Sequence, residues 1–248
     1  MANGGRLVLS EGVFNFESVI TVNNQSNITI EGQGLSTQIK LANGVNPSTG
    51  IINFTGTKTY NYAIKNLLID GNYANQTGTG SGIYMNTLLD TSDSMQLIED
   101  VEVRNCIGSG FNLQQGGQLN MRRCRGTKNR IYGFNLNASD GVFDNLIADN
   151  NIYSGIYANC FAGHYKDCKA YYNANGQQYD AGIYVKAYNS YFVNCEGEDN
   201  YYNGMVIDGA AHGCIINNCI GDSNGQTSGS GLVIYGDNNV VMGGAYYE

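Results

Sequence analysis

The chain has 248 residues, 42% of them hydrophobic and only 14% charged, with a net charge of −8. That is enough apolar chain for one core, and the acidic balance excludes nucleic acid or an anionic membrane surface as the main partner. No apolar run approaches the ~20 residues of a membrane-spanning helix, so no membrane insertion is expected.

With 34 glycines, 19 tyrosines and one proline, the composition predicts extended strands joined by tight turns rather than disorder. The N-terminal "MANGGRLVLSEG" lacks the charged-then-apolar pattern of a signal peptide. Residues 1–61 read as opening coils and 62–248 as regular repeat coils of a single 1–248 domain.

The repeat shows best from residue 62 onward. A glycine opens each Gly-apolar-x-apolar unit at Gly82, Gly110, Gly133, Gly155, Gly182, Gly204 and Gly231, with spacings of 28, 23, 22, 27, 22 and 27. A unit of 22 residues therefore carries insertions just before the glycine. Upstream lies a second register: Leu67, Val101, Cys124, Leu146, Cys168, Cys195 and Cys219. Three residues before it is a bulky column: Ile64, Ile98, Met121, Phe143, Tyr165, Phe192 and Ile216. Two residues after it the column turns small: Ile69, Val103, Gly126, Ala148, Ala170, Gly197 and Gly221. Immediately before it stand Asn66, Asp100, Arg123, Asn145, Asp167, Asn194 and Asn218, residue types that mostly tolerate left-handed turns.

Alternation with period two means strands, and like residues recurring in each unit means units stacked in register. Three strands per 22 residues, all parallel, is an all-β solenoid of about ten coils, a parallel β-helix. Neighbouring coils then lie ~4.8 Å apart. The 7 cysteines have no zinc-type pairing, and no metal site is expected. Cys124, Cys168, Cys195 and Cys219 are expected to pack inward as small hydrophobes. Cys106, Cys160 and Cys214 lie off that column, which leaves room for a reactive thiol among them.

The stretch "GGRLVLSEGVFNFESVITVNNQSNITIEGQGLSTQIKL" (4–41) resembles the opening coils of the pectin-lyase-like superfamily. The later "GI-x-[LV]…NN" units are similar to that superfamily's right-handed parallel β-helix repeat. The resemblance implies the fold, and a polysaccharide as the partner held along one strand face. It also implies an extracellular place, or one on a virion or cell surface. No cofactor is implied beyond a calcium ion in a lyase. The "NTD", "DD", "GHG" and "RIK" signatures of polygalacturonase-like enzymes are absent. "YGFNLN" (132–137) is similar to the "YGFDPH" of alginate epimerases, with Asn135 and Asn137 where that motif has Asp and His.

The strand that begins at each glycine points outward with Tyr84/Asn86, Asn112/Gln114, Asn135/Asn137, Tyr157/Asn159, Tyr184/Lys186, Val206/Asp208 and Val233/Tyr235. Tyrosine offers a flat apolar platform for a sugar ring, and amides offer donors and acceptors to its hydroxyls. Tyr84, Asn112, Asn135, Asn137, Tyr157, Asn159, Tyr184 and Tyr235 are therefore the candidate substrate-binding residues. The strand after the Asn-Cys turn exposes mostly charged residues (Glu102 beside Arg125, Lys169 beside Glu196) and reads as a solvated wall. Insertions at 72–82, 173–182 and 224–231 would rim the first face, where loops on a rigid solenoid usually carry function.

Asp208, Asp180 and Lys186 are the candidate catalytic residues, with Lys186 and Asp208 expected one coil apart, each favouring the other's charged form. Lys186 would clamp a uronate carboxylate, while Asp208, helped by Asp180, would move a proton. Two functions stay open: binding with cleavage of an extracellular polysaccharide by a lyase or glycoside hydrolase, and a non-catalytic glycan-binding or structural module of a tailspike or adhesin. The last stretch, "VVMGGAYYE", shows no polar cap, so missing segments, an end-to-end contact or a homo-oligomer are expected to cover it.

Overall fold

The computed structural model describes residues 4–247 apart from 58, 88–95, 116, 176–179 and 226–228. One coil shows the plan. Leu119–Arg122 runs to a sharp corner, Arg125–Thr127 follows, and Phe134–Leu136 closes the turn of the solenoid. Each of these strands pairs in parallel with its counterpart one coil on. Three stacks result, and among the described residues the third holds nine strands from Ile20–Asn23 to Leu232–Ile234. The solenoid thus has about nine coils, against the ten expected. In two coils the first and second strands are continuous, Ala63–Asp70 and Gln96–Arg104, so the first two stacks share one sheet.

The corner between the first two stacks is set by backbone geometry. Asn66, Asp100, Arg123, Asn145, Asp167, Asn194 and Asn218 all adopt left-handed backbone, with φ between 49° and 54°. Asparagine and aspartate tolerate that region because their short polar side chains bond locally. They also bond between coils, Asn218 Nδ2 donating to Asn194 Oδ1 at 2.9 Å and Asn194 Nδ2 to Asp167 Oδ1 at 3.1 Å. Arg123 departs from the pattern, and its guanidinium is tied to Asp100 at 2.7 Å and to Glu99.

Inside the corner the bulky column fills the lumen. Phe143, Tyr165 and Phe192 stack at centroid distances of 4.7 and 4.4 Å, and all are buried. All seven cysteines are buried free thiols. Cys106, Cys160 and Cys214 are as buried as the inward column, at 0–1% exposure, so none of them is the accessible thiol left open by the sequence. Burial pushes the Cys124 and Cys160 thiols up to about 12, far from the thiolate that reacts.

The small column meets the glycine column across the coil. A Cβ on Gly197 would lie 2.2 Å from the Gly204 carbonyl oxygen, and one on Gly221 2.2 Å from that of Gly231. Beside this pinch runs a buried ladder of side-chain amides, Asn129, Asn151, Asn173, Asn200 and Asn224. Each Nδ2 donates to the Oδ1 of the next, at 3.1, 2.9, 3.2 and 3.0 Å. Each backbone N–H donates to that same oxygen, at 3.0 to 3.1 Å. The amide nitrogens sit where a Cβ of Gly133, Gly155, Gly182 or Gly204 would fall, at 2.4–2.8 Å. The glycine column is small because the amides occupy its space.

The charged wall corrects one expectation. Leu68, Asp70, Thr127 and Asp149 are buried rather than solvated. Arginines fold over the acids, Arg104 Nε reaching Asp70 Oδ2 at 3.0 Å and Arg125 Nε reaching Asp149 Oδ1 at 2.7 Å. Lys169 bridges Glu196 at 3.1 Å and Glu198 at 2.6 Å. Along this wall Asp70, Asp149, Glu196 and Glu198 are held in ion pairs.

Two outcomes test this packing. A thiol reagent should leave all seven cysteines unmodified in the native protein and label them once denaturant is added. Asn173→Ala should cost at least about 2 kcal/mol in chemical denaturation, because it strips the acceptor from two buried N–H donors of Asn151.

Candidate functional site

The third stack carries the candidate residues in two outward rows. Tyr84, Asn112, Asn135, Tyr157, Tyr184, Val206 and Val233 are in register along the first row. Val206 is the exception to its outward assignment, being only 2% exposed. The second row follows from backbone bonds: the N–H groups of Asn137, Asn159, Lys186, Asp208 and Tyr235 donate to Leu113, Leu136, Ala158, Val185 and Ile207. Amides pair between coils, Asn135 Nδ2 with Asn112 Oδ1 at 3.1 Å and Asn159 Nδ2 with Asn137 Oδ1 at 3.3 Å. Those pairs hold the side chains in one plane, and the half-buried amides keep lone pairs and protons for hydroxyls.

Next to the amides stands a tyrosine cluster. Tyr157 and Tyr184 stack at 5.5 Å with planes 8° apart, and Tyr132 stacks on Tyr157 at 5.0 Å. Tyr153 meets Tyr132 edge-on at 5.7 Å. Sequence reasoning missed Tyr132 and Tyr153 because they sit in the turn before the strand, outside its alternation. Their spacing, one tyrosine in each of two successive turns, was the available signal.

The charged candidates are placed as follows. Lys186 and Asp208 lie one coil apart on the second row, but they form no ion pair among the described residues. Asp208 instead accepts the Tyr184 hydroxyl proton and the Ala210 N–H, the latter at 2.9 Å. The expected mutual support of Lys186 and Asp208 is thus replaced by a tyrosine bond from the coil before. Burial first, then this bond, holds the Tyr184 hydroxyl above its ordinary range. Asp180 is half-buried and takes the Ser154 hydroxyl bond at 2.5 Å. Burial raises its carboxyl above the usual range, and the Ser154 bonds partly oppose the shift. The negative charge of Asp180 also reaches Tyr132 and Tyr184, which ties the rim acid to the cluster. His212 is exposed and lies 3.5 Å from Asp237.

Of the rim loops, 72–82 is described throughout. Residues 176–179 of the second and 226–228 of the third lie outside the described residues. Among the described residues no group of three or more His, Cys, Asp or Glu is placed to hold a metal ion. Among the described residues no helix is long and apolar enough to cross a membrane.

No family model matches the chain. The mannuronan C5-epimerase AlgE5 of Azotobacter vinelandii is 30% identical over 164 residues, covering 60% of this chain and 16% of the epimerase. Alginate lyase 7 of the same organism is 34% identical over 134 residues, covering 51% of this chain and 16% of the lyase. The chain thus spans about a sixth of the length of these curated relatives. Among solved structures, the A-module of A. vinelandii mannuronan C-5 epimerase AlgE4 superposes with a TM-score of 0.75 at 22% identity, covering 96% of this chain and 68% of that one. The enzymatically active domain of bacteriophage CBA120 tailspike protein 2 superposes at 0.63 with 14% identity, covering 97% and 43%. The chain shares the parallel β-helix fold of these solved structures.

The buried carboxyl gives a pH test. Because burial favours protonated Asp180, its folded pKa lies above the unfolded one. It therefore weakens the fold once pH has risen through that window, and this effect vanishes below the unfolded value. Asp180→Asn should raise the melting temperature near pH 7 and give no such gain at about pH 3, below the unfolded aspartate value. A carboxyl-carbon NMR titration should place the Asp180 midpoint above those of exposed aspartates.

Proposed function

We propose that this chain binds an extracellular polysaccharide along the outward face of the third stack, with an acidic, uronate-containing polymer as the preferred class. The observation that carries the reading is the in-register Tyr157–Tyr184 stack at 5.5 Å, set beside a flat plane of half-buried amides. Sugar rings present an apolar face to such platforms and hydroxyls to such amides. The names of the relatives, mannuronan epimerase and alginate lyase, support the polymer class. Lys186, with no ion pair among the described residues, meets a carboxylate of that polymer.

If the bound chain is also cleaved, the two acids divide the work. Asp180, whose burial holds its carboxyl above the usual range, delivers a proton, while Asp208, fixed by Tyr184 and Ala210, receives one. The names of the relatives support a place outside the cell, or on a virion or cell surface. A second reading, a glycan-binding module without turnover, is favoured by the floor itself. Asn135 and Asn137 supply neither the acid nor the imidazole of the epimerase-like motif they resemble.

Calorimetric titration with mannuronate oligosaccharides tests the surface. Tyr157→Ala and Tyr184→Ala should each weaken binding roughly tenfold, about 1.4 kcal/mol, while Glu102→Ala and Glu198→Ala on the ion-pair wall leave it unchanged. Equal losses on both faces would remove the reason for choosing this one. Assaying the same polymer for new reducing ends or unsaturated products separates the two readings. If products form, Asp208→Asn should abolish them while sparing binding, and Tyr184→Phe should keep the platform but shift the pH profile of turnover.

A further inference from the structure

The alternation of the third stack does not stop where its strands end. In one coil Ile156, Ala158 and Cys160 are buried, while Tyr157, Asn159 and Phe161 face out; in the next, Ile183, Val185 and Ala187 are buried, while Tyr184, Lys186 and Tyr188 face out. Phe161 and Tyr188 are 54% and 45% exposed. They are in parallel register with each other, and Tyr188 is in register with His212. Backbone bonds fix the row, with Tyr188 N–H donating to Cys160 at 3.0 Å and Ala162 N–H donating to Tyr188 at 2.9 Å.

We infer that Phe161 and Tyr188 form a second aromatic wall of the groove and contact the same sugar chain as Tyr157 and Tyr184. The inference rests on the polysaccharide reading above and adds to it residues that neither the sequence motifs nor the tyrosine cluster include. Four residues separate Tyr157 from Phe161, ~13 Å at ~3.3 Å per residue, which leaves a channel rather than a single platform. Its floor is the second row, Asn159 and Lys186. A sugar chain lying on that floor has ring faces or edges against both walls and its carboxylates above the Lys186 ammonium. Continuity of the rows, in-register exposure and the placement of the cation between the walls all point to one acidic glycan.

The test is calorimetric titration of the full chain with a mannuronate hexasaccharide, with circular dichroism to check folding and sedimentation to check association. Both rings are exposed, so Phe161→Ala and Tyr188→Ala should fold normally. Each should weaken binding about fivefold and the double variant more than tenfold, in the range of buried-contact truncations. Tyr191→Ala, equally exposed on the first stack at 42%, should bind as the wild type does. If Tyr157→Ala weakens binding and the double variant does not, the second wall is overturned while the groove stands. If the wild type binds no hexasaccharide, or Tyr157→Ala has no effect, the groove reading falls and this inference falls with it. A double variant that keeps its affinity but sediments as a smaller species than the wild type would make the row an interface between copies, and would also overturn the proposal.

Discussion

The buried asparagine ladder is the interaction on which the rest of the solenoid depends. Of the five amides from Asn129 to Asn224, the last four each satisfy two N–H donors of the preceding coil with one oxygen, and Asn129 takes the Cys106 N–H. Each Nδ2 also reaches a backbone carbonyl of the neighbouring coil, such as Gly126 at 2.9 Å from Asn151 and Ala170 at 3.0 Å from Asn200. Inside a low-dielectric core such a network is strong when complete and costly when broken. It locks coil to coil at one spacing, dictates glycine on the strand beside it, and so keeps both outward rows of the third stack in register.

Much of this was readable in the sequence wherever a column had one chemistry. The bulky, small, thiol and glycine columns were placed in register from their offsets alone, and the left-handed corner followed from its asparagines. The amide ladder was not seen, because asparagine is also the ordinary turn residue and its offset from the glycine varies. Asn129 precedes Gly133 by four residues, but Asn173 precedes Gly182 by nine and Asn224 precedes Gly231 by seven. The charged wall was misjudged for another reason. Alternation tells which side a residue faces, but not that Arg104 and Arg125 would fold flat over Asp70 and Asp149 and seal them from water.

The candidate site shows the same division. Rows and register came through from the pattern, so Lys186 and Asp208 fall on adjoining coils as expected. What the pattern could not supply was the partner of each charge, because a strand's neighbours across a turn are set by loop length. Tyr184 reaches Asp208, and Ser154 reaches Asp180. These contacts give the two carboxyls different environments, one partly dehydrated and one held by donors, and that difference is what distinguishes a proton donor from an acceptor.

The ladder also has a direction. Each Oδ1 acceptor in it belongs to the coil that comes later in the chain, although every Nδ2 also donates back to a carbonyl of the coil before, as Asn151 does to Gly126 and Asn224 to Gly197. The backbone donors therefore wait for their successor's asparagine. A chain emerging N-terminus first would therefore wind like a ratchet: each newly made turn supplies the oxygen that closes the one beneath it, and the nearest-neighbour contacts of a solenoid make that order local at every step.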